Sequence, residues 1–251
     1  MQRPRIYTPD ALRTGATQEL PESAAAHVTR VLRLAAGDPI TLFDGSGTDY
    51  DAVLKVVARS RVSVEVGAGR PVDRESPLEV TLLQGVSRGP RMDTVVQKAT
   101  ELGVSRISPL LTEHSVPREG LEHEKAHAWP GQVIRAAKQC RRGSLPELCA
   151  PVPLDAFLGS PAAGADLSLF LDDHGPDGGG RGAHVPAGTP RRIVLFAGPE
   201  GGFAEAERDR LVASGAVPLV LGGRVLRAET AVLAGLTAVH LVWGDFREGE
   251  R

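Results

Sequence analysis

Arg192-Ile193-Val194-Leu195-Phe196-Ala197-Gly198-Pro199-Glu200-Gly201-Gly202 sets an apolar run directly before a glycine-rich turn, and a helix containing Glu205, Glu207 and Leu211 follows it. A short apolar run bounded by turn residues reads as a strand covered on both faces, as in a parallel α/β sheet. The turn then falls at the carboxyl edge of that sheet, where ligands bind in such folds. Its glycines let backbone amides approach a ligand closely, and the helix start beyond it favours an anionic group. The turn has neither the Gly-Lys-Ser/Thr of a phosphate-binding loop nor the Gly-x-Gly-x-x-Gly spacing of a dinucleotide fold. Alone, it reads more readily as an ordinary strand-to-helix connector, since such turns are common.

A second loop changes that balance. Leu221-Gly222-Gly223-Arg224-Val225-Leu226-Arg227-Ala228-Glu229-Thr230-Ala231 follows another apolar strand, about residues 217–221. It sets Arg224, Arg227 and Glu229 between two glycines and a helix beginning near Thr230, whose Val232, Leu233, Leu236 and Val239 share one apolar face. Thr230 as a helix cap with solvated arginines explains this segment alone equally well. The two loops as a pair, each at a strand end, point to a shared site.

The alternation continues outward. Strands are expected over 79–83, 106–111 and 167–171, with a helix from Pro90 carrying Met92, Val95, Val96, Ala99 and Leu102 at helical spacing and stopping at Gly103. A long helical region is expected over 122–142, kinked or restarted by Pro130. Residues 172–190, rich in Gly and Pro, read as a flexible loop. The first 72 residues differ: short strands over 39–43, 50–57 and 62–66, turns at 44–47 and 59–61, and a helix over 21–34 describe a small barrel with one helix. Residues 67–77 read as the linker, giving domains 1–72 and 73–251.

Bulk properties narrow the function classes. With 251 residues and 41% hydrophobic content the chain can build real cores, and with only 4% aromatic residues it is not built to grip nucleic acid by base stacking. A net charge of −2 argues against indiscriminate coating of nucleic acid but allows local basic stripes. Arg135, Lys138 and Arg142 would share one face of a helix as a phosphate track, and Arg3, Arg5, Arg30 and Arg33 form a second basic cluster; solvated faces are the plain alternative for both. Cys140 and Cys149 fit neither a zinc ribbon nor a disulfide framework and read as reduced thiols. His123-Glu124-Lys125-Ala126-His127 matches the zinc-protease pattern, but Pro130 and Val133 stand where an extension would need glycine and histidine, so no metal is expected. The residues Met1-Gln2-Arg3-Pro4-Arg5 lack a signal-peptide core, and no stretch of eighteen apolar residues occurs, so a cytoplasmic protein without a membrane partner is expected.

In this order the two loops resemble the knotted cofactor site of SPOUT-superfamily methyltransferases, and in detail that of the 16S rRNA (uracil-N3)-methyltransferase family. The resemblance extends to His27 with Val31-Leu32-Arg33 and Gly37-Asp38, to Gln97-Lys98-Ala99-Thr100-Glu101-Leu102-Gly103-Val104, Pro109 and Thr112-Glu113-His114-Ser115, and to Ala136-Ala137-Lys138-Gln139-Cys140-Arg141-Arg142 with Pro146. Ala197 departs from the β-branched aliphatic residue common in the family, Pro130 interrupts a helix that usually continues, and the loop after Leu171 is expanded. The resemblance implies an α/β, trefoil-knotted parallel-sheet methyltransferase domain preceded by a small PUA-like β-barrel. It further implies S-adenosyl-L-methionine (AdoMet) as cofactor and methylation of uracil N3 in 16S rRNA of the small (30S) ribosomal subunit, near its decoding region, by a homodimer.

By the same resemblance Leu171, Gly198, Pro199, Gly201, Leu221, Gly222, Val225 and Leu226 hold the cofactor. Arg227 stabilises charge on the uracil, and Glu229 or Glu200 accepts the proton. RNA is met by Arg3, Arg5, Arg33, Lys98, Arg135, Lys138, Gln139 and Arg142. A SPOUT enzyme acting at another RNA position, or an RNA-binding ribosome-assembly protein without catalysis, are the alternatives.

Overall fold

The computed structural model describes residues 3–58, 61–160, 164–172 and 188–247. Most of the glycine-rich segment expected as a loop after Leu171, and residues 59 and 60 of the expected turn, lie outside the described residues. Contacts divide the chain into two compact units, Met1–Glu75 with Ala137–Leu145, and Ser76–Ala136 with Pro146–Arg251.

The first unit is a five-stranded sheet in the order β1 (Arg5–Tyr7), β3 (Pro39–Phe43), β4 (Thr48–Val57), β5 (Val62–Pro71), β2 (Thr17–Glu19), antiparallel except for the β1–β3 pair. Its core is filled by Ile6, Val28, Ile40, Leu42, Leu54, Val62 and Val64. On β5 Val62, Val64 and Val66 are buried and Glu65 is exposed, but Ser63 is buried as well, so the alternation of a half-buried strand holds only over Val64 to Val66. Two readings need correction. The expected linker at 67–77 begins as the end of β5: Gly69 lies opposite Tyr50, and a Cβ there would come within 2.8 Å of the Tyr50 ring, so this glycine makes room for an aromatic ring and not for a turn. The expected helix at 21–34 is α1 (Glu22–Ala26) followed by a π-helical stretch, His27–Leu32, closed by Arg33 at φ 54°.

Residues 137–145 join this unit through polar contacts. Arg5 Nη1 donates to the Ala137 carbonyl at 3.1 Å and Nη2 to the Arg142 carbonyl at 2.6 Å, while Arg142 pairs with Glu75 at 2.7 Å. Such long-range bonds leave no periodicity in the sequence.

The second unit is a parallel sheet in the order β12 (Val217–Leu219), β10 (Leu167–Leu171), β11 (Arg192–Ala197), β6 (Glu79–Gly85), β7 (Arg106–Leu111), β8 (Glu147–Leu148), with β9 (Val152–Pro153) also on β7. β11 is buried from Ile193 to Ala197, as its uninterrupted apolar run requires. α2 (Pro90–Glu101) starts with Pro90 in its first turn and buries Met92, Val95, Val96 and Ala99. α4 is Leu154–Leu158, α5 Glu205–Ala213 and α6 Ala228–Val242.

The helix expected over 122–142 is shorter. α3 spans Trp129–Cys140, so Pro130 begins the helix where its missing N–H costs nothing, and does not kink it. Residues 121–128 form turns and a 3-10 stretch, so His123 and His127 are not one helical turn apart. Arg142 lies beyond α3, after Arg141 at φ 65°, and so leaves the helix face it was expected to share with Arg135 and Lys138. Among the described residues no helix is long and apolar enough to cross a membrane.

Candidate active site at the carboxyl edge of the parallel sheet

β10, β11 and β12 run parallel side by side, so the segments that leave them emerge at one edge of the sheet. There they enclose a cavity of about 200 Å³. The eight positions assigned to the cofactor, Leu171, Gly198, Pro199, Gly201, Leu221, Gly222, Val225 and Leu226, all line it, as does Glu200. Leu171 and Leu219 add apolar wall, and Asp172 and Arg208 add an ion pair at 2.7 Å. The lining thus joins an apolar side to backbone amides and a charged pair, which suits a ligand that is part flat ring and part polar chain.

The glycine turn is built by contact on several sides. A Cβ on Gly198 would lie 2.9 Å from the Gly202 carbonyl carbon, so the turn closes on itself only with glycine at that position. Gln84 Nε2 donates to the Gly198 carbonyl at 3.1 Å from the end of β6, and His114 Nδ1 donates to the Gly202 carbonyl at 3.2 Å. Buried Glu207 accepts from the Ala204 amide at 3.0 Å and the Glu113 amide at 2.9 Å, which caps α5 and ties residues 112–115 to its start.

The catalytic candidates fall around this turn. Glu200 accepts from the Arg88 amide at 3.0 Å and from Arg91 Nη1 at 2.9 Å. Burial pushes its carboxyl up in pKa, but hydrogen bonds from its own amide, the Arg88 amide and Arg91, with the Arg91 charge, outweigh burial and hold it below the usual carboxylate value. Glu229 stands in the first turn of α6, 3.8 Å from Arg91 Nε, and its Oε2 is shielded from solvent without a hydrogen-bond partner. Arg227 is exposed at the N-cap position of α6, which begins at Ala228 and not near Thr230. Neither Arg227 nor Glu229 lines the cavity; Ala228 and Ala231, on the same helix, do.

Arg88 and Arg91 were not picked out from the sequence. The signal for them was positional: both leave the carboxyl end of a parallel strand, where side chains meet ligands. Arg208 was missed because a helix arginine in a charged run reads as solvated.

The basic residues expected to meet RNA divide into two groups. Arg5 bonds Asp49 and two carbonyls and lies over the Phe43 ring at 3.5 Å from its centroid, and Arg142 is buried against Glu75; both charges serve the first unit internally. Arg33, Arg135 and Gln139 are exposed, Arg3 is a half-exposed partner of Asp51, and Lys98 is paired with Glu101 on α2. Lys138 is half-buried, and burial together with the Arg5 charge depresses its pKa.

Residues 74–240 match the family described as RNA methyltransferase domain, and residues 20–67 match RNA methyltransferase PUA domain. Fold and site together therefore define a two-domain RNA methyltransferase with a SPOUT-type α/β domain and a PUA-like domain. More narrowly, the chain belongs to the ribosomal RNA small subunit methyltransferase E family. It is 31% identical to the Synechocystis protein of that name, over 90% of this chain and 73% of that protein, and 28% identical to the Buchnera aphidicola (Schizaphis graminum) one, over 96% and 97%. Among solved structures, ribosomal RNA small subunit methyltransferase E of Neisseria gonorrhoeae bound to S-adenosyl methionine is 34% identical at TM-score 0.84, covering 98% of this chain and 100% of that one. A methyltransferase from Legionella pneumophila in complex with the same cofactor is 36% identical at TM-score 0.85, with coverage of 98% and 100%.

Proposed function

We propose that this protein transfers a methyl group from AdoMet to N3 of a uracil in the 16S rRNA of the small ribosomal subunit. The observation that carries this reading is the convergence of both glycine loops on one cavity whose apolar wall, backbone amides and ion pair match the parts of AdoMet. Leu171, Leu221, Val225 and Leu226 would flank the adenine, and the backbone of the Gly198–Gly202 turn the amino-acid portion. Bound there, AdoMet supplies an electrophilic methyl on a sulfonium.

The protein's own residues handle the uracil. N3 carries a weakly acidic proton that must leave before the nitrogen attacks. Arg227, exposed at the start of α6, stabilises the charge that develops on the uracil oxygens. Glu229 accepts the proton, because its Oε2 takes no hydrogen bond and stands only in the 3.8 Å ion pair with Arg91, whereas Glu200 is hydrogen-bonded by Arg88 and Arg91 and braces the turn. Exposed Arg33, Arg135 and Gln139, with Arg3, contact phosphates of the RNA. The protein works in the cytoplasm as a homodimer, on the assembled 30S subunit.

The test is to incubate the protein with labelled AdoMet and small subunits lacking the modification, then map the product by nucleoside mass spectrometry. N3-methyluridine supports the proposal; a different methylated nucleoside corrects the position, and no transfer to any RNA defeats it.

A further inference from the structure

Arg88 is a cation on a fixed mount. Residues 82–87 are all buried, and Arg88 is the first exposed residue after them. The chain leading to it is held on both sides: the Val86 amide donates to the Leu110 carbonyl at 3.0 Å, and the Val116 amide donates to the Val86 carbonyl at 2.9 Å. The Arg88 amide then donates to Glu200 at 3.0 Å, and the Gly89 amide donates to Glu124. Gly89 adopts φ 53° and ψ −135°, which residues with a Cβ rarely do, although a Cβ there would meet no atom within 4 Å. The glycine serves the turn that sets Arg88 outward, not close packing.

Two carboxylates are thus spent on the backbone of this turn, and Glu200 also holds Arg91. Neither takes the Arg88 guanidinium, which has no hydrogen bond or ion pair among the described residues. Arg91, by contrast, is shared by Glu200 and Glu229. Arg88 is not among the residues that line the cavity, whereas Glu200, to which its amide is bound, lines it. The ligand that suits Arg88 therefore lies beside the cavity and does not fill it.

N3 lies on the edge by which uracil pairs, so methyl transfer needs a uracil freed from any partner and turned out of its stack. With that base at the cavity, the phosphates on either side of it stay outside. A guanidinium carries its donors in a rigid fork that fits two phosphate oxygens at once. Mounted on a fixed backbone, the fork sets the register of the strand while the base is read elsewhere.

We infer that Arg88 binds a backbone phosphate next to the target uridine and so holds its base at the cavity. The inference rests on the proposed methyl transfer to a uracil and names the part of the RNA that Arg88 meets.

Equilibrium binding of small subunits lacking the modification, with S-adenosylhomocysteine present and over a series of salt concentrations, tests it. Arg88→Ala should bind roughly 10-fold more weakly. Its slope of log affinity against log salt should be shallower by about 0.7, the share of one phosphate on a single strand. Arg88→Lys keeps the charge without the fork, so it should regain the slope and only part of the affinity. Calorimetry should give both variants the wild-type affinity for S-adenosylhomocysteine. Subunits reconstituted with an uncharged methylphosphonate on one side or the other of the target uridine locate the contact. At one of the two positions the wild type should weaken about as much as Arg88→Ala does, and Arg88→Ala itself should weaken little further. Wild-type affinity and slope in Arg88→Ala overturn the inference. A loss of S-adenosylhomocysteine affinity also overturns it, since the acceptor would then be the cofactor's carboxylate. So does an Arg88→Ala that weakens as much as the wild type with both methylphosphonates, since its contact would lie elsewhere on the RNA. A wild type that transfers no methyl group to unmodified subunits defeats the methyl-transfer reading itself, and the inference with it.

Discussion

Arg91 Nη1 donates to Glu200 at 2.9 Å, tying the first turn of α2 to the glycine turn after β11. The same guanidinium stands 3.8 Å from Glu229, so one cation is shared between the two carboxylates that could serve the reaction. The sharing is unequal, and the predictions for the two carboxylates differ accordingly.

Glu229→Gln removes the proton acceptor and keeps the shape of the side chain. Methyl transfer should fall by roughly 10²- to 10⁴-fold, with S-adenosylhomocysteine affinity in calorimetry unchanged. Glu200→Gln loosens the turn itself and should weaken that affinity. Were Glu229→Gln to retain wild-type turnover, the acceptor would have to be sought elsewhere.

The Glu200 carboxyl also sets a pH dependence. Its native value lies below the ordinary 4.5, so between the two values the unfolded chain binds more protons than the native one. The resulting stabilisation is fully present above the unfolded value and is lost as pH falls through the native one. Urea unfolding from about pH 7 to about pH 3 should show Glu200→Gln less stable than wild type at neutrality, with the gap closing in acid. A gap constant over this range would mean that the Arg91 and Arg88 contacts do not stabilise the ionised form.

Arg227→Ala should bind S-adenosylhomocysteine like the wild type and lose roughly 10²- to 10³-fold in transfer, the scale of losing one donor aimed at developing charge. Single-turnover transfer to small subunits measures this, and undiminished transfer removes Arg227 from the mechanism.

A side chain at Gly201 would put its Cβ 2.9 Å from the His114 Cβ. Gly201→Val should therefore displace the turn and reduce S-adenosylhomocysteine affinity by at least about tenfold, a cost near 1.4 kcal/mol. Calorimetry beside a circular dichroism melt separates this local effect from unfolding.

Two arginines that look alike in the sequence should behave oppositely. Arg142→Ala removes both guanidinium bonds to Glu75 and leaves it the Ser144 amide at 3.2 Å, and it should destabilise the protein by about 2–4 kcal/mol in urea melts. Arg135→Ala, at an exposed position, should leave the melt unchanged and weaken binding to small subunits, with a smaller dependence on salt.

The contrast between those arginines marks what the sequence discloses. The parallel strands were legible because burial on both faces demands uninterrupted apolar residues, as in β11, and the cavity was legible because its lining comes from segments adjoining strand ends. Three-residue strands such as β1 and β2 are too short to show a period. The joining of residues 137–145 to the N-terminal unit depends on carbonyls accepting from Arg5, and a carbonyl has no sequence signature. Pro130 allows a kink or a restart, and the turns and 3-10 stretch over residues 121–128 make it the start of α3. The Arg91 link was hidden because the separation of 109 residues between Arg91 and Glu200 is bridged by the sheet alone.

The proposed function depends on the loops after β11 and β12 forming one cofactor cavity. Hydrogen–deuterium exchange with and without S-adenosylhomocysteine tests it most directly. Exchange should slow together in peptides covering 197–203 and 219–227 and stay unchanged in β3 to β5 of the first unit. Protection of only one of the two loops, or of neither, would mean that they do not share a cofactor.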